Sequence, residues 1–258
     1  MSTATLQAPA RKASMSPDEW KARQELACAY RLFDHFGWHG LIFNHITVRV
    51  PGEGTHFLIN PFGLMYREVT ASNLVKIDVD GNILDGSPHK VNKAGFVIHS
   101  ALHMAHPDAH AIMHTHTNEG VAVSAQEGGL LPLSMSACGL QGHIAYHDYE
   151  GISLELDERQ RLIDHIGDKH CFILRHHGLL TWGRTIADAF SWMSRLQSAC
   201  EVQVMATAGA SRPILPSKAS IDATVRQMNQ VSSSEGAGQM LWDAMTRWMI
   251  DKDPRFLQ

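Results

Sequence analysis

"AHAIMHTHTNEGVAVSAQEGG" (109–129) reads as a strand, AHAIMHTHT, running into a short helix that ends at the glycine pair. Alternate residues of a strand face the same way, so His114 and His116 project together. That is a natural two-ligand arrangement for a first-row metal ion. The same pair also fits two polar strand residues facing solvent. A second segment, "RHHGLL" (175–180), sets imidazoles at the end of another strand. Three histidines with an open fourth position make a catalytic metal arrangement, whereas a closed structural site more often uses cysteine. His176 and His177 equally fit surface residues ahead of a turn.

The flanking segments alternate irregularly between strand and helix. "SPDEWKARQELACAYRLFDHFGW" (16–38) opens with Ser16 as cap, Pro17 in the first turn and Asp18 and Glu19 complementing the helix dipole; Gly37 is the stop. "LIFNHITVRV" (41–50) and "HFLIN" (56–60) are expected strands, and "TASNLVKIDVDGNIL" (70–84) reads as strand, Asp-Gly-Asn turn, strand. "NKAGFVIHSALHMAHPD" (92–108) is a helix ended by Pro107. "GHIAYHD" (142–148) is extended, "LDERQRLIDHIGD" (156–168) is a helix, and "CFILRHHGLLTWG" (171–183) is strand, tight turn, strand. A long amphipathic helix follows, capped by Thr185, with Ala189, Trp192, Met193 and Leu196 on its apolar face. The reading is one α/β domain over 16–208 with a largely antiparallel sheet flanked by helices. Residues 1–15 are expected to be disordered. Residues 209–258 form an extension, Pro/Ser-rich and irregular over 209–235, then a terminal helix that packs on the domain or on a neighbouring subunit.

Composition narrows the function. A net charge of −4 with no basic stripe argues against nucleic acid as the main partner. No run of 18 apolar residues spans a membrane, and the N-terminus lacks a signal-peptide core. Four scattered cysteines read as reduced thiols of a cytoplasmic protein. Histidine is the outlier, 17 residues against 22 Lys and Arg, which raises the prior for metal or acid–base chemistry.

"FNHITVRV", "INPFGLMY", "NKAGFVIHSALH", "HPDAHAIMHTHT" and "ILRHHGLLTWG" occur in order, and together they resemble the class II aldolase/adducin family over roughly residues 20–207. The resemblance implies an α/β/α sandwich around a mainly antiparallel nine-stranded sheet, and homotetramers with active sites at subunit interfaces. It implies a divalent metal, Zn²⁺ first and Mn²⁺ or Fe²⁺ next, held by His114, His116 and His177, with His176 where Asn is frequent. It also implies an anion pocket, to which Asn44 and Gly63 correspond. The chain departs from the sugar-phosphate enzymes where they carry Ser-Ser-Glu: here the residues are Lys93-Ala94-Gly95. The acid/base carboxylate and the phosphate-binding hydroxyls are absent, and Lys93 is left as the anion-binding candidate. His99, on the helix after Gly95, and His143 and Tyr149, in "GHIAYHDYEG" (142–151), are the candidate replacements. Glu119 reads either as a carboxylate orienting an imidazole or as a helix-start residue.

The function expected is a divalent-metal-dependent carbon–carbon lyase, aldolase or decarboxylase, working through a metal-stabilised enediolate. Its substrate would be a small hydroxy or keto compound without phosphate. Several segments resemble the adducin head more than the aldolases, so a non-catalytic assembly domain with a structural metal is the alternative. A non-haem iron oxygenase is the third reading, although its usual carboxylate ligand is not found in the sequence.

Overall fold

The computed structural model describes residues 15–151, 158–210, 212–235 and 237–258. Helix α1 (Pro17–Phe36) begins as expected: the Ser16 hydroxyl accepts the Glu19 N–H at 3.1 Å. Gly37, at φ 75°, ends it. Then come β1 (Ile46–Arg49), β2 (Phe57–Ile59), β3 (Val75–Ile77), α2 (Lys93–Ala105), β4 (Ala111–Thr115), α3 (Asn118–Ser124) and α4 (Met135–Leu140). The second half holds β5 (Ile144–His147), α5 (Glu158–Ile166), β6 (Cys171–Leu174), β7 (Gly178–Gly183), α6 (Ile186–Thr207), α7 (Lys218–Glu235) and α8 (Ala237–Lys252).

The strands form one seven-stranded sheet in the order β3-β2-β1-β4-β7-β6-β5. Every pairing is antiparallel except β5 with β6. Strand alternation divides the core into two faces. Ile46, Val48, Ala111, Met113, Cys171, Ile173 and Leu179 pack with Leu26, Phe33, Phe190 and Leu196 of α1 and α6. Ile112, Phe172, Leu174, Leu180 and Trp182 face the other way, against Ile98 and Leu102 of α2 and Leu162 and Ile166 of α5. The result is an α/β/α sandwich, with His114 and His116 on the same parity as Ile112 and therefore on the α2–α5 side. No helix among the described residues is long and apolar enough to cross a membrane, and all four cysteines are free and buried.

Four expectations need correction. The strand expected over 41–50 is confined to Ile46–Arg49, because Gly40 and Leu41 turn the chain at φ 52° and 59°. The strand expected after the Asp-Gly-Asn turn is a single bridge, Ile77 to Ile83. The helix after β4 stops at Ser124, short of the glycine pair. The stretch 209–235 is irregular only to Ser217, whose hydroxyl accepts the Ser220 N–H at 3.1 Å and starts α7. The described residues contribute seven strands rather than nine, and α4 was not anticipated.

The C-terminal extension packs on its own chain. Trp242 is buried, with its ring 5.6 Å from that of Phe190. Phe256 is buried, and the carbonyls of Phe256 and Gln258 accept the N–H groups of Ala71 and Ser72. Trp242→Ala removes a large apolar group from this seam. It is expected to lower the unfolding free energy by about 3–5 kcal/mol, read as a lower urea midpoint with an unchanged m-value.

Candidate metal centre

Strands β4 and β7 bring the candidate ligands together. Their register pairs His114 with Leu180 and Thr115 with Leu179. One step further, His116 lies beside Gly178 and the loop that carries His177. The turn between β6 and β7 is only Arg175–His177, closed by the His177 N–H to the Leu174 carbonyl at 3.1 Å. His176 takes φ 56° to make it, a region where Asn, Asp and His are the tolerated side chains after glycine. Its backbone makes the turn, and its ring is exposed, with its centroid 6.4 Å from that of Tyr149. Gly178 must lack a Cβ, since that atom would overlap the Thr115 carbonyl and touch the His116 ring.

One nitrogen from each of His114, His116 and His177 lies within 4.8 Å of the others, and the three rings meet at centroid distances of 4.5–4.9 Å. The Leu179 carbonyl accepts from His114 Nδ1 at 2.8 Å. A carbonyl can only accept, so the His114 proton is on Nδ1 and Nε2 presents a lone pair. That Nε2 is 2.6 Å from Nε2 of His116. Burial, with His116 and His177 beside it, holds His114 well below the usual imidazole range. Burial and His177 lower His116 to about 4, and burial and then His147 lower His177. All three are neutral near pH 7, the form that ligates. A set of neutral nitrogens, one with its tautomer fixed by a carbonyl behind it, fits a first-row divalent ion. His114 is fully buried, while His116 and His177 are half-buried, so the cluster opens on their side.

The other candidates divide. His99 is brought close: it is buried on α2, and its Nδ1 is 2.7 Å from the Thr47 hydroxyl. Thr47 also meets His103 Nε2 at 2.8 Å, and His103 Nδ1 donates to the Ala109 carbonyl at 2.9 Å. Asn44 is buried just before β1, donating to the Trp38 carbonyl at 3.3 Å and leaving Oδ1 without a partner. Tyr149 is exposed and lines a small cleft with His147, Glu150, Arg175 and His177. His143 does not join the cluster within this chain. It precedes the Ile144–Cys171 pair, at the end of the sheet opposite Leu174–Gly178, and bonds Asn229 at 3.0 Å. Gly63, at φ 98°, makes an exposed turn after β2. Lys93 opens α2, and its side chain lies outside the described residues. Glu119 sits in the first turn of α3, near Cys200.

One residue at the cluster was not foreseen. His45 directly precedes β1, and continuing the β1–β4 register by one residue sets it opposite His114. Its ring is 5.1 Å from that of His114 and 4.3 Å from that of His99. A single histidine at a strand start gives no spacing signal; Gly95, which left room for its ring, was the available clue.

Two outcomes test this centre. The purified protein is expected to take up about one divalent ion per chain, and the His114→Ala/His116→Ala variant none, by elemental mass spectrometry. Stability in the metal-free state should also depend on the buried neutral imidazoles. Burial and the nearby Arg49 lower His103 to about 3, and burial and His45 lower His99. Below the unfolded value of about 6.5, the unfolded chain binds these protons first, so stability falls as pH falls. Each such group contributes about 1.4 kcal/mol per pH unit between 6.5 and its folded value. His103→Gln should therefore flatten the slope of unfolding free energy against pH.

The comparisons with known proteins agree with this geometry. The family model described as Class II Aldolase and Adducin N-terminal domain matches residues 24–204. Alpha-adducin of Rattus norvegicus is 50% identical over 194 residues, 74% of this chain and 26% of that protein. The crystal structure of an aldolase II superfamily protein from Pseudomonas syringae aligns with TM-score 0.91 at 43% identity, covering 96% of this chain and 99% of that one. L-fuculose 1-phosphate aldolase from Glaciozyma antarctica PI12 aligns with TM-score 0.81 at 30% identity, covering 93% and 92%. The matched span runs from within α1 to within α6 and so takes in the whole sheet and the histidine cluster: the chain belongs to the class II aldolase and adducin family.

Proposed function

We propose that the protein is a divalent-metal-dependent carbon–carbon lyase, of aldolase or decarboxylase type, acting on a small unphosphorylated hydroxy or keto acid. The observation that carries this reading is the cluster of three neutral imidazoles, one fully buried and two facing an opening. A divalent ion held by His114, His116 and His177, with Zn²⁺ preferred and Mn²⁺ or Fe²⁺ next, would supply Lewis acidity, polarising a chelated carbonyl or hydroxyl oxygen. The alignment with an enzyme named as an aldolase supports the lyase class.

The chain's own residues shape what such a site can do. The Leu179 carbonyl fixes His114, and Gly178 lets the His177 loop close against β4. Gly95 supplies no carboxylate to take a proton from substrate. Decarboxylation needs no base to begin bond breaking, so it suffers less from that loss than aldol cleavage does. Lys93-Ala94 in place of a serine pair removes hydroxyls suited to phosphate. A homotetramer in the cytoplasm, with a small-molecule substrate, belongs to the same reading. The relation to alpha-adducin favours a second one, a non-catalytic assembly domain that keeps the cluster for structure. An iron oxygenase has less support, since the cluster contains only histidine and no carboxylate among the described residues.

The test is turnover of a panel of 2-hydroxy and 2-keto acids by metal-loaded protein, followed as aldehyde or CO₂ release. Activity on an unphosphorylated acid, lowered at least 100-fold in His114→Ala, is the expected outcome, about 2.7 kcal/mol of transition-state stabilisation. Activity confined to a sugar phosphate would reverse the substrate assignment. A metal-loaded protein inert toward both groups would favour the assembly domain.

A further inference from the structure

His45 is 3% exposed, and neither ring nitrogen has a hydrogen-bond partner of acceptable geometry; the Phe43 carbonyl comes near one without closing the bond. Buried polar groups of this kind are rare, and a group left unpaired in the protein is commonly paired by water or a ligand. The surroundings hold the ring in place. Its ring packs on Gly95, where a Cβ would stand 2.6 Å from its Cε1 and Nδ1. The His99 ring lies against it, with ring centroids 4.3 Å apart. His99 is itself anchored: the Ala109 carbonyl forces the proton of neutral His103 onto Nδ1, so Thr47 donates to His103 Nε2 and accepts from His99 Nδ1. This chain of bonds fixes His99 as a support and gives it no free donor. The imidazole of His45 thus fills the volume that a side chain at position 95 would need, beside the cluster, with no hydrogen bond of acceptable geometry closed at either nitrogen.

We infer that His45 is a substrate-binding residue, hydrogen-bonding an oxygen of a small hydroxy acid held at the His114–His116–His177 centre, and that Gly95 is glycine because His45 requires the space. Thr47, His99 and His103 are positioning residues for it. The inference rests on the metal-centre reading and goes beyond it by assigning a contact to substrate that the metal ligands do not make.

The test uses Co²⁺-loaded full-length protein, whose visible spectrum reports the coordination shell, with glycolate as probe. His45→Phe keeps an aromatic ring, one atom larger, and removes both nitrogens, His45→Gln restores hydrogen-bonding atoms, and Gly95→Ala displaces the ring. The expected result is cobalt content and ligand-free spectrum like those of the unaltered protein in all three variants. Glycolate affinity should fall about tenfold or more in His45→Phe and Gly95→Ala, and should recover at least in part in His45→Gln. Equal glycolate affinity in His45→Phe, or no spectral response to glycolate in the unaltered protein, overturns the inference while leaving the metal centre intact. Loss of cobalt or a changed ligand-free spectrum in His45→Phe also overturns it, by making His45 part of the metal cage or its support. Failure of the unaltered protein to take up cobalt removes the metal-centre reading itself.

Discussion

The five-residue ladder between β4 and β7 is the constraint on which the rest depends. It lies at the middle of the sheet, and its two ends are set by glycines that no other residue can replace without displacing backbone. At one end a Cβ on Gly183 would collide with the start of α6 at Ala189; at the other a Cβ on Gly178 would collide with the Thr115 carbonyl. Between them the register is fixed, and with it the parity of every side chain on β4. A slip of one residue would turn His114 and His116 into the apolar face under α1 and α6. The same ladder delivers the Leu179 carbonyl that orients His114, so the fold and the chemistry of the site share one set of hydrogen bonds.

Strand parity also explains why the α2 side of the sheet is polar at its centre. β1 presents Ile46 and Val48 to the large core, while Thr47 faces α2 and meets His99 and His103. A buried threonine and two buried histidines would be costly if unpaired, about 1–3 kcal/mol for each orphaned group. Paired as a chain that ends on the Ala109 carbonyl, they are mostly satisfied, and His99 Nε2 is the atom left over. The unpartnered nitrogens of His45 and His99 lie beside the three-histidine cluster, His45 against His114 and His99 against His45, which is where a site that completes itself with a ligand would leave them.

Much of this was legible in the sequence, and the reasons for the rest are physical. The His-x-His pair was readable because strand periodicity is local, and the His-His-Gly turn because a three-residue hairpin needs one residue at positive φ. Which histidine of that turn faces the cluster is also a local matter: His176 takes the left-handed conformation, and His177 is left to turn inward. His45 was invisible because its meaning lies in a cross-strand register with His114 and in the missing Cβ of Gly95, both contacts distant in sequence. The Pro/Ser-rich stretch before α8 misled by composition: Pro213 and Pro216 precede α7, and Ser217 caps it. The packing of α7 is tertiary, with Met228 filling the space above Gly139. His143 looked like a site residue because it shares a segment with Tyr149, yet the parallel pairing of β5 with β6 sends the two to opposite ends of the strand.

The exchange at position 95 ties these observations to function. Three ligand-type histidines are present, His114 oriented by the Leu179 carbonyl, and the acid/base carboxylate that the family resemblance leads one to expect is not. Had the cluster lost its purpose, the space beside it would be free to fill with apolar side chains, which stabilise a core at least as well as an unpaired imidazole does. Instead it is filled by a histidine whose ring nitrogens close no hydrogen bond of acceptable geometry within the chain. A carboxylate beside a divalent ion lowers the local charge and accepts a proton; a neutral imidazole leaves the charge undiminished and can donate as well as accept. On the lyase reading proposed for the chain, such a site would favour an anionic oxygen ligand over a neutral sugar hydroxyl, and so an acid over a sugar.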